Sequence, residues 1–241
     1  MSSLILIHGG GHGAWCWDPI VAGLRAAGHQ VQAVDLPGRD GTPAGGCTVT
    51  FEDWMACVAA ALDAAAQRPT LIAHSMGGLT SSQLAQRRPD DLAGIIYLSA
   101  VVPADGAAGL PTLQQAGPAC ALLEEGALTP SADGTTITVT PQAARVAFYG
   151  DCPEPDVQRA LPRLCSEAMA PMMTPVQLGA AFRGVPKHYI GATRDRAVPL
   201  EFGRGLAVQC GAQFQTIESD HSPFYSAPEV LLAMLLDLVQ G

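Results

Sequence analysis

Leu71 to Gly78 reads LIAHSMGG: an apolar run fit for a buried strand, a serine at the apex of a turn, and two glycines that open a helix. Small neighbours let such a strained strand-to-helix turn hold the Ser75 hydroxyl clear of the backbone at a sheet edge. Ala73 stands where a first glycine is usual, and it is still small. A serine that only capped a helix would not require this run of small residues. The stretch therefore predicts a nucleophile elbow in an α/β fold.

Outward from the elbow, strands and helices alternate. Leu4 to Ile7 is a short apolar run that stops at His8 and a string of glycines, as a buried parallel strand feeding a tight loop would. Asp18 is expected to cap a helix whose first residue is Pro19 and whose end is marked by Gly28. His29 to Val34 reads as a second strand and Pro37 to Gly46 as a loop. Thr50 and Asp53 resemble a helix start, for a helix from Phe51 to Gln67. Strand Thr70 to Ala73, a helix from Gly77 to Arg88 and strand Gly94 to Ala100 follow. The rhythm resumes with strand Lys187 to Ala192, a helix over Leu200 to Gln209 ending near Gly211, and strand Ala212 to Ile217. A last helix is expected to start at Ser226, with Glu229 completing a capping box, and to run to about Val239. Six mainly parallel strands flanked by helices are predicted.

Prolines crowd the interval from Pro103 to Pro186, where the alternation breaks. A structureless loop of that length is implausible, so residues 104–185 are expected to form a mostly helical cap after the fourth strand, with a small hairpin near Thr135 to Thr140. An insertion there would roof the carboxyl edge of the sheet, where open α/β sheets bind ligands. The reading is one domain over residues 1–241, with core 1–103 and 186–241.

Lys plus Arg number 13 against 22 for Asp plus Glu, a net charge of -9, which disfavours nucleic acids and anionic membranes and favours small neutral substrates. The single lysine, Lys187, opens an apolar run and is a poor candidate for lysine chemistry. Seven scattered cysteines form no C-x-x-C pair, which signals neither a disulfide framework nor zinc. No segment approaches the roughly 20 apolar residues of a membrane span. No basic stretch and long apolar run mark a signal peptide, so a cytoplasmic location is expected.

A serine hydroxyl needs a base to take its proton, and the base needs a carboxylate to hold one tautomer. In this architecture the partners follow as serine, acid, histidine, which removes His8, His12 and His29. His74 adjoins the nucleophile and is expected to point away from it, and His188 lies inside a strand. His221, in the loop after the last strand, is the base. Asp195, past strand Lys187 to Ala192, is favoured as the acid over Asp105, which follows the preceding strand. Asp220 reads as a surface or turn residue. The oxyanion donors are expected to be the amide of Met76, after the nucleophile, and that of Gly10 in the loop His8-Gly9-Gly10-Gly11. These glycines lack both the spacing and the lysine of a phosphate loop, which argues against nucleotides.

HGGGHGAWCW at His8, AHSMGG at Ala73, TRDRAVPLEF at Thr193 and DHSP at Asp220 together resemble the plant methylesterase and hydroxynitrile lyase group of α/β-hydrolases and its bacterial esterase relatives. The likeness spans both ends of the chain and is loose in the cap. It implies the triad Ser75, Asp195 and His221, oxyanion amides from Gly10 and Met76, no metal or cofactor, often a homodimer, and hydrolysis of small carboxylic esters through an acyl-enzyme. The lyases of the group carry threonine where this chain has Gly9, and lysine after the histidine where it has Ser222; without that lysine, cyanide has no charge partner. A lyase or a receptor-like binding protein are the alternatives to an esterase. Leu122, Leu123, Phe148, Met169, Met172, Met173 and Leu178 either line an apolar pocket or fill the cap core.

Overall fold

Strand β1 (Ser3–Ile7) is buried along its whole length, as the apolar run LILI requires of a strand covered on both faces. The computed structural model describes residues 1–38 and 49–239; residues 39–46 of the expected loop and Cys47 lie outside them. A 3-10 turn over Ala14–Trp17 leads into α1 (Asp18–Ala26), followed by β2 (Gln30–Val34). Helix α2 (Phe51–Asp63) starts in a capping box in which Thr50 and Asp53 exchange side-chain and backbone hydrogen bonds. Strand β3 (Thr70–His74), α3 (Gly77–Arg87) and β4 (Gly94–Leu98) complete the first half.

The intervening segment, here the cap, holds α4 (Gly109–Leu113), β5 (Leu128–Pro130), β6 (Thr136–Val139), α5 (Pro141–Phe148), α6 (Glu154–Ala160), β7 (Glu167–Ala168), α7 (Met169–Met173) and α8 (Ala180–Gly184). The main sheet then takes up β8 (Lys187–Ala192), α9 (Leu200–Cys210) and β9 (Gln213–Ile217), and α10 (Pro223–Ser226) and α11 (Pro228–Leu238) close the chain. The six strands run in the order β2-β1-β3-β4-β8-β9, with every neighbouring pair parallel. Register aligns Ile7 with Ala73, Ala73 with Tyr97 and Tyr97 with Tyr189, so the strands end near one edge.

Alternation along the strands divides the core in two. Ile5, Ile7, Leu71 and Ala73 face a cluster with Phe51, Trp54 and Met55 of α2 and Leu79 of α3. Leu4, Leu6, Ile72 and Ile96 face a second cluster that joins Trp17, Ile20 and Leu24 with Leu231 and Leu235 of α11. Helices thus cover both faces, as the alternating pattern predicts.

Several local expectations are corrected. Asp18 does not cap α1: the preceding 3-10 turn makes Trp17 the cap residue and puts Asp18 inside the first turn. Helix α2 ends at Asp63, short of Gln67. The last helix is broken in two, and Ala227 rather than Ser226 precedes α11. Ser226 is unavailable as a cap because its hydroxyl donates to Asp220 Oδ1 at 2.8 Å. The cap hairpin is a three-stranded antiparallel sheet, since β7 pairs with β6 from almost thirty residues downstream. Lys187 is spent structurally: its Nζ donates to the carbonyls of Phe182, Val185 and Arg183 around the end of α8. Among the described residues no helix is long and apolar enough to cross a membrane.

Candidate active site

The elbow is built by close backbone packing. Ser75 has φ +50°, a left-handed conformation that costs a non-glycine residue roughly 1–2 kcal/mol. Its amide donates to Leu98 O at 3.1 Å, and its carbonyl accepts from Val101 N at 2.9 Å and Gly78 N at 3.1 Å, so β4 and its exit hold the turn. A Cβ on Gly77 would lie 2.9 Å from the carbonyl oxygens of Ile7 and His8, and one on Gly78 2.3 Å from Val101 O. Only glycine lets α3 leave so close to β1 and β4. A Cβ on Gly9 would stand 2.6 Å from Ser75 Cβ, so the same constraint reaches the loop after β1.

His221 and Asp195 are joined and buried. Asp195 Oδ2 accepts from His221 Nδ1 at 2.8 Å, while Oδ1 accepts from Ala197 N at 2.8 Å and Val198 N at 2.7 Å. A carboxylate in this position fixes the proton on Nδ1 and leaves the lone pair on Nε2. Nε2 is buried and has no hydrogen-bond partner, Ser75 included. Asp105 is elsewhere engaged: it is exposed and accepts from Leu178 N at 2.8 Å in the cap. His188 stays in β8, where burial lowers its pKa.

Two residues set aside in the sequence hold His221 and its loop. His74 packs its ring 4.5 Å from that of His221, and its Nε2 donates to the His221 carbonyl at 2.9 Å. Burial and the neighbouring His221 and His12 hold the His74 pKa well below the ordinary histidine value, so it remains neutral. Asp220 is no surface residue: it is buried, and its carboxylate accepts from Asp151 N, Cys152 Sγ, Ser222 N and Ser226 Oγ. These bonds shape the loop that carries His221 and tie it to the cap.

The glycine loop is equally ordered. His8 accepts from Leu36 N at Nε2 (3.1 Å), which places the proton on Nδ1 for the Gly9 carbonyl at 2.9 Å. His12 Nδ1 donates to Gly10 O at 3.0 Å, so in the neutral ring Nε2 accepts from Tyr149 Oη at 2.7 Å. Burial pushes the Tyr149 hydroxyl well above the ordinary phenol value, which keeps it a donor. Gly11 N donates to Glu167 Oε2 at 2.8 Å, and Gly11 O accepts from Cys165 N at 3.0 Å. Among the described residues neither Gly10 N nor Met76 N donates to any protein group.

Ser75, Met76, Gly10 and Gly11 line one cavity. Its walls are apolar, from Leu110, Leu113, Leu122, Ile137, Phe148 and Met172, with Glu167 the acid among them. Leu122, Phe148 and Met172 thus fulfil the pocket expectation. Leu123, Met169 and Leu178 pack in the core instead, and Met173 is exposed. Phe148 also stacks on His221, with ring centroids 5.5 Å apart. Glu167 and Tyr149 escaped the sequence reading, although a carboxylate in the apolar stretch before Met169 is a signal that could have flagged the first. Among the described residues no group of three or more His, Cys, Asp or Glu side chains is placed to hold a metal ion.

Residues 4–234 match the alpha/beta hydrolase family. The chain is 31% identical to a pyrethroid hydrolase of Sphingobium wenxiniae, over 100% of this chain and 89% of the relative. It is 32% identical to the rice esterase PIR7B (Oryza sativa subsp. japonica), over 97% of this chain and 94% of that protein. Among solved structures, a pyrethroid hydrolase from Sphingobium faniae superposes with a TM-score of 0.87 at 28% identity, covering 100% of this chain and 98% of the other.

Proposed function

The chain belongs to the alpha/beta hydrolase family, and on that premise we propose that it is a serine carboxylesterase whose triad is Ser75, His221 and Asp195. The observation that carries the reading is the conjunction at one sheet edge of a left-handed serine lining an apolar cavity with a buried His221–Asp195 pair whose Nε2 is uncommitted. Ser75 Oγ attacks the ester carbonyl carbon while His221 Nε2 takes its proton; Asp195 holds the ring and stabilises the imidazolium. The carbonyl oxygen, now an anion, is received by the amides of Gly10 and Met76, whose freedom from protein partners leaves them ready without reorganisation. Collapse returns the proton from His221 to the departing alcohol, and water, activated in the same way, releases the acid.

The apolar walls favour an ester whose acyl or alcohol part is hydrophobic, in keeping with a relative named for pyrethroid hydrolysis. Cyanohydrin cleavage is disfavoured because both lyase markers are absent: Gly9 brings no hydroxyl beside Ser75, and Ser222 supplies no cation. Cys16, Cys120 and Cys210 are buried thiols, which suits a reducing, cytoplasmic setting. The experiment is hydrolysis of a panel of methyl and aryl esters by the wild-type protein and by Ser75→Ala. The expected result is turnover that falls at least about 10³-fold in the variant; no turnover by the wild type on any ester would overturn the reading.

A further inference from the structure

The geometry points to Tyr149 and Glu167, two cap residues outside the triad, as positioning residues that hold the glycine loop so that the Gly10 amide can receive the oxyanion. The inference rests on the serine-esterase reading above. Three successive glycines are the softest backbone a chain can offer, and a peptide unit between them rotates at little steric cost. Here the two peptide planes that meet at Gly10 are fastened differently.

The plane that carries the Gly10 N–H is held at its other end, where Gly9 O accepts from His8 Nδ1 at 2.9 Å and from His12 N at 3.3 Å. Both of those donors come from the loop itself. The next plane, made of Gly10 C=O and Gly11 N–H, is held directly from the cap at one end and through His12 at the other. Gly11 N–H donates to Glu167 Oε2 at 2.8 Å, and Gly10 O accepts from His12 Nδ1, whose ring is in turn held by Tyr149 Oη at 2.7 Å. Cys165 N adds a bond to Gly11 O at 3.0 Å, so the segment leading into β7 grips Gly11 from both sides. Of the four polar ends of these two planes, the Gly10 N–H is the one without a protein partner, and it lies in the wall that contains Ser75.

If the second plane is released it can flip, which redirects the Gly10 torsions and turns a carbonyl oxygen toward the site where negative charge develops. Positioned donors act only when aimed before the reaction, so such a flip lowers the rate of the chemical step and leaves ground-state binding in the apolar cavity nearly intact. Tyr149 and Glu167 touch the loop and its histidine; neither is asked to exchange a proton with substrate.

The test uses a fluorophosphonate, whose phosphoryl oxygen occupies the oxyanion position as Ser75 Oγ displaces fluoride, and therefore needs no knowledge of the natural ester. Labelling rates are measured for wild type, Ser75→Ala, Tyr149→Phe, Glu167→Leu and Glu167→Gln, with kcat and KM on the best ester of the panel. Labelling of the wild type but not of Ser75→Ala establishes the nucleophile independently of the cap. Tyr149→Phe and Glu167→Leu are then expected to label, and to turn over ester, about 10-fold more slowly with KM within about threefold. Glu167→Gln, which keeps an oxygen to accept from Gly11, recovers part of the loss. Labelling within twofold of wild type in both Tyr149→Phe and Glu167→Leu overturns the inference, as does a defect confined to KM, which would make Glu167 a substrate-binding group. Tyr149→Phe removes one hydroxyl and keeps the ring, so it decides the matter should Glu167→Leu fail to fold.

Discussion

His74, the residue before Ser75, donates from Nε2 to the main-chain carbonyl of His221 at 2.9 Å. The strand that presents Ser75 thereby fixes the loop that presents His221, although His74 and His221 lie 147 positions apart. Positional errors at an active site are amplified in the rate, so His74→Leu is expected to lower kcat about tenfold with little change in KM. Steady-state kinetics on an ester decide it; a change in KM alone would assign His74 to substrate binding.

The same ring makes stability depend on pH. Because its folded pKa is depressed well below 6.5 by burial, the unfolded chain binds a proton that the folded chain refuses. This contribution is complete above the ordinary pKa and is lost as pH falls below it. One such group steepens the decline by up to about 1.4 kcal/mol per pH unit. Urea midpoints for wild type and His74→Gln at pH 5, 6 and 7 should therefore show a shallower slope in the variant; His188, also depressed by burial, contributes equally to both. Parallel slopes would clear His74 of this role.

Asp195→Asn separates orientation from folding. The asparagine oxygen can keep the bonds from Ala197 N and Val198 N, while its amino group, facing His221 Nδ1, forces the wrong tautomer. The expected result is a loss of roughly 10⁴ in kcat with an unchanged melting temperature. Asp105→Asn retains an acceptor for Leu178 N and should keep kcat within about twofold, because its bond lies in the cap. An equal loss in both variants would reopen the choice of acid.

Gly9→Ala should be among the most damaging single-methyl additions in the chain. Its Cβ would press to 2.6 Å from Ser75 Cβ and 2.9 Å from His74 Nδ1. Overpacking of this kind destabilises by about 1–3 kcal/mol, and here the displaced atoms belong to the elbow, so fluorophosphonate labelling should fall further than stability does. Labelling at the wild-type rate would mean that the loop relaxes away from Ser75.

Asp220→Ala leaves Asp151 N and the buried Ser222 N without their acceptor and takes one acceptor each from Cys152 Sγ and Ser226 Oγ. The expected cost is about 3 kcal/mol, since buried donors stripped of partners lose their full desolvation compensation. Urea denaturation measures it, and a change below about 0.5 kcal/mol would show that water replaces the carboxylate.

What could be read from the sequence was what local pattern encodes. The run before Ser75 and the glycines after it describe a turn whose constraints lie within a few residues, and the strand order follows from connection rules once the alternation is seen. His221 emerged by elimination and Asp195 by its place after β8. The cap resisted because its order is made by distant pairs: Thr136 aligns with Ala168, and Gly11 bonds to Glu167 across 156 residues. Ser226 resembled a helix cap because the pattern records its spacing to Glu229, whereas its hydroxyl is claimed by Asp220, six residues earlier. Polar residues such as His12, Tyr149 and Asp220 carry no periodicity, so their partners are found only when the chain is folded.

The cap leaves the sheet after β4 and returns at β8, and these two strands are immediate neighbours in register, with Ile95 beside Lys187. Because this pair is parallel, the segment leaves at the carboxyl edge of the sheet and returns by a crossover to the opposite edge, yet the hydrogen-bonded ladder beneath does not depend on how much chain lies between the two strands. Exchanging the segment would recast the pocket over an unchanged ladder, but the core leans on it at two places. A donor cap must bring its own clasp for Gly11, now gripped by residues 165–167, and its own donors for Asp220, now met by Asp151 N and Cys152 Sγ.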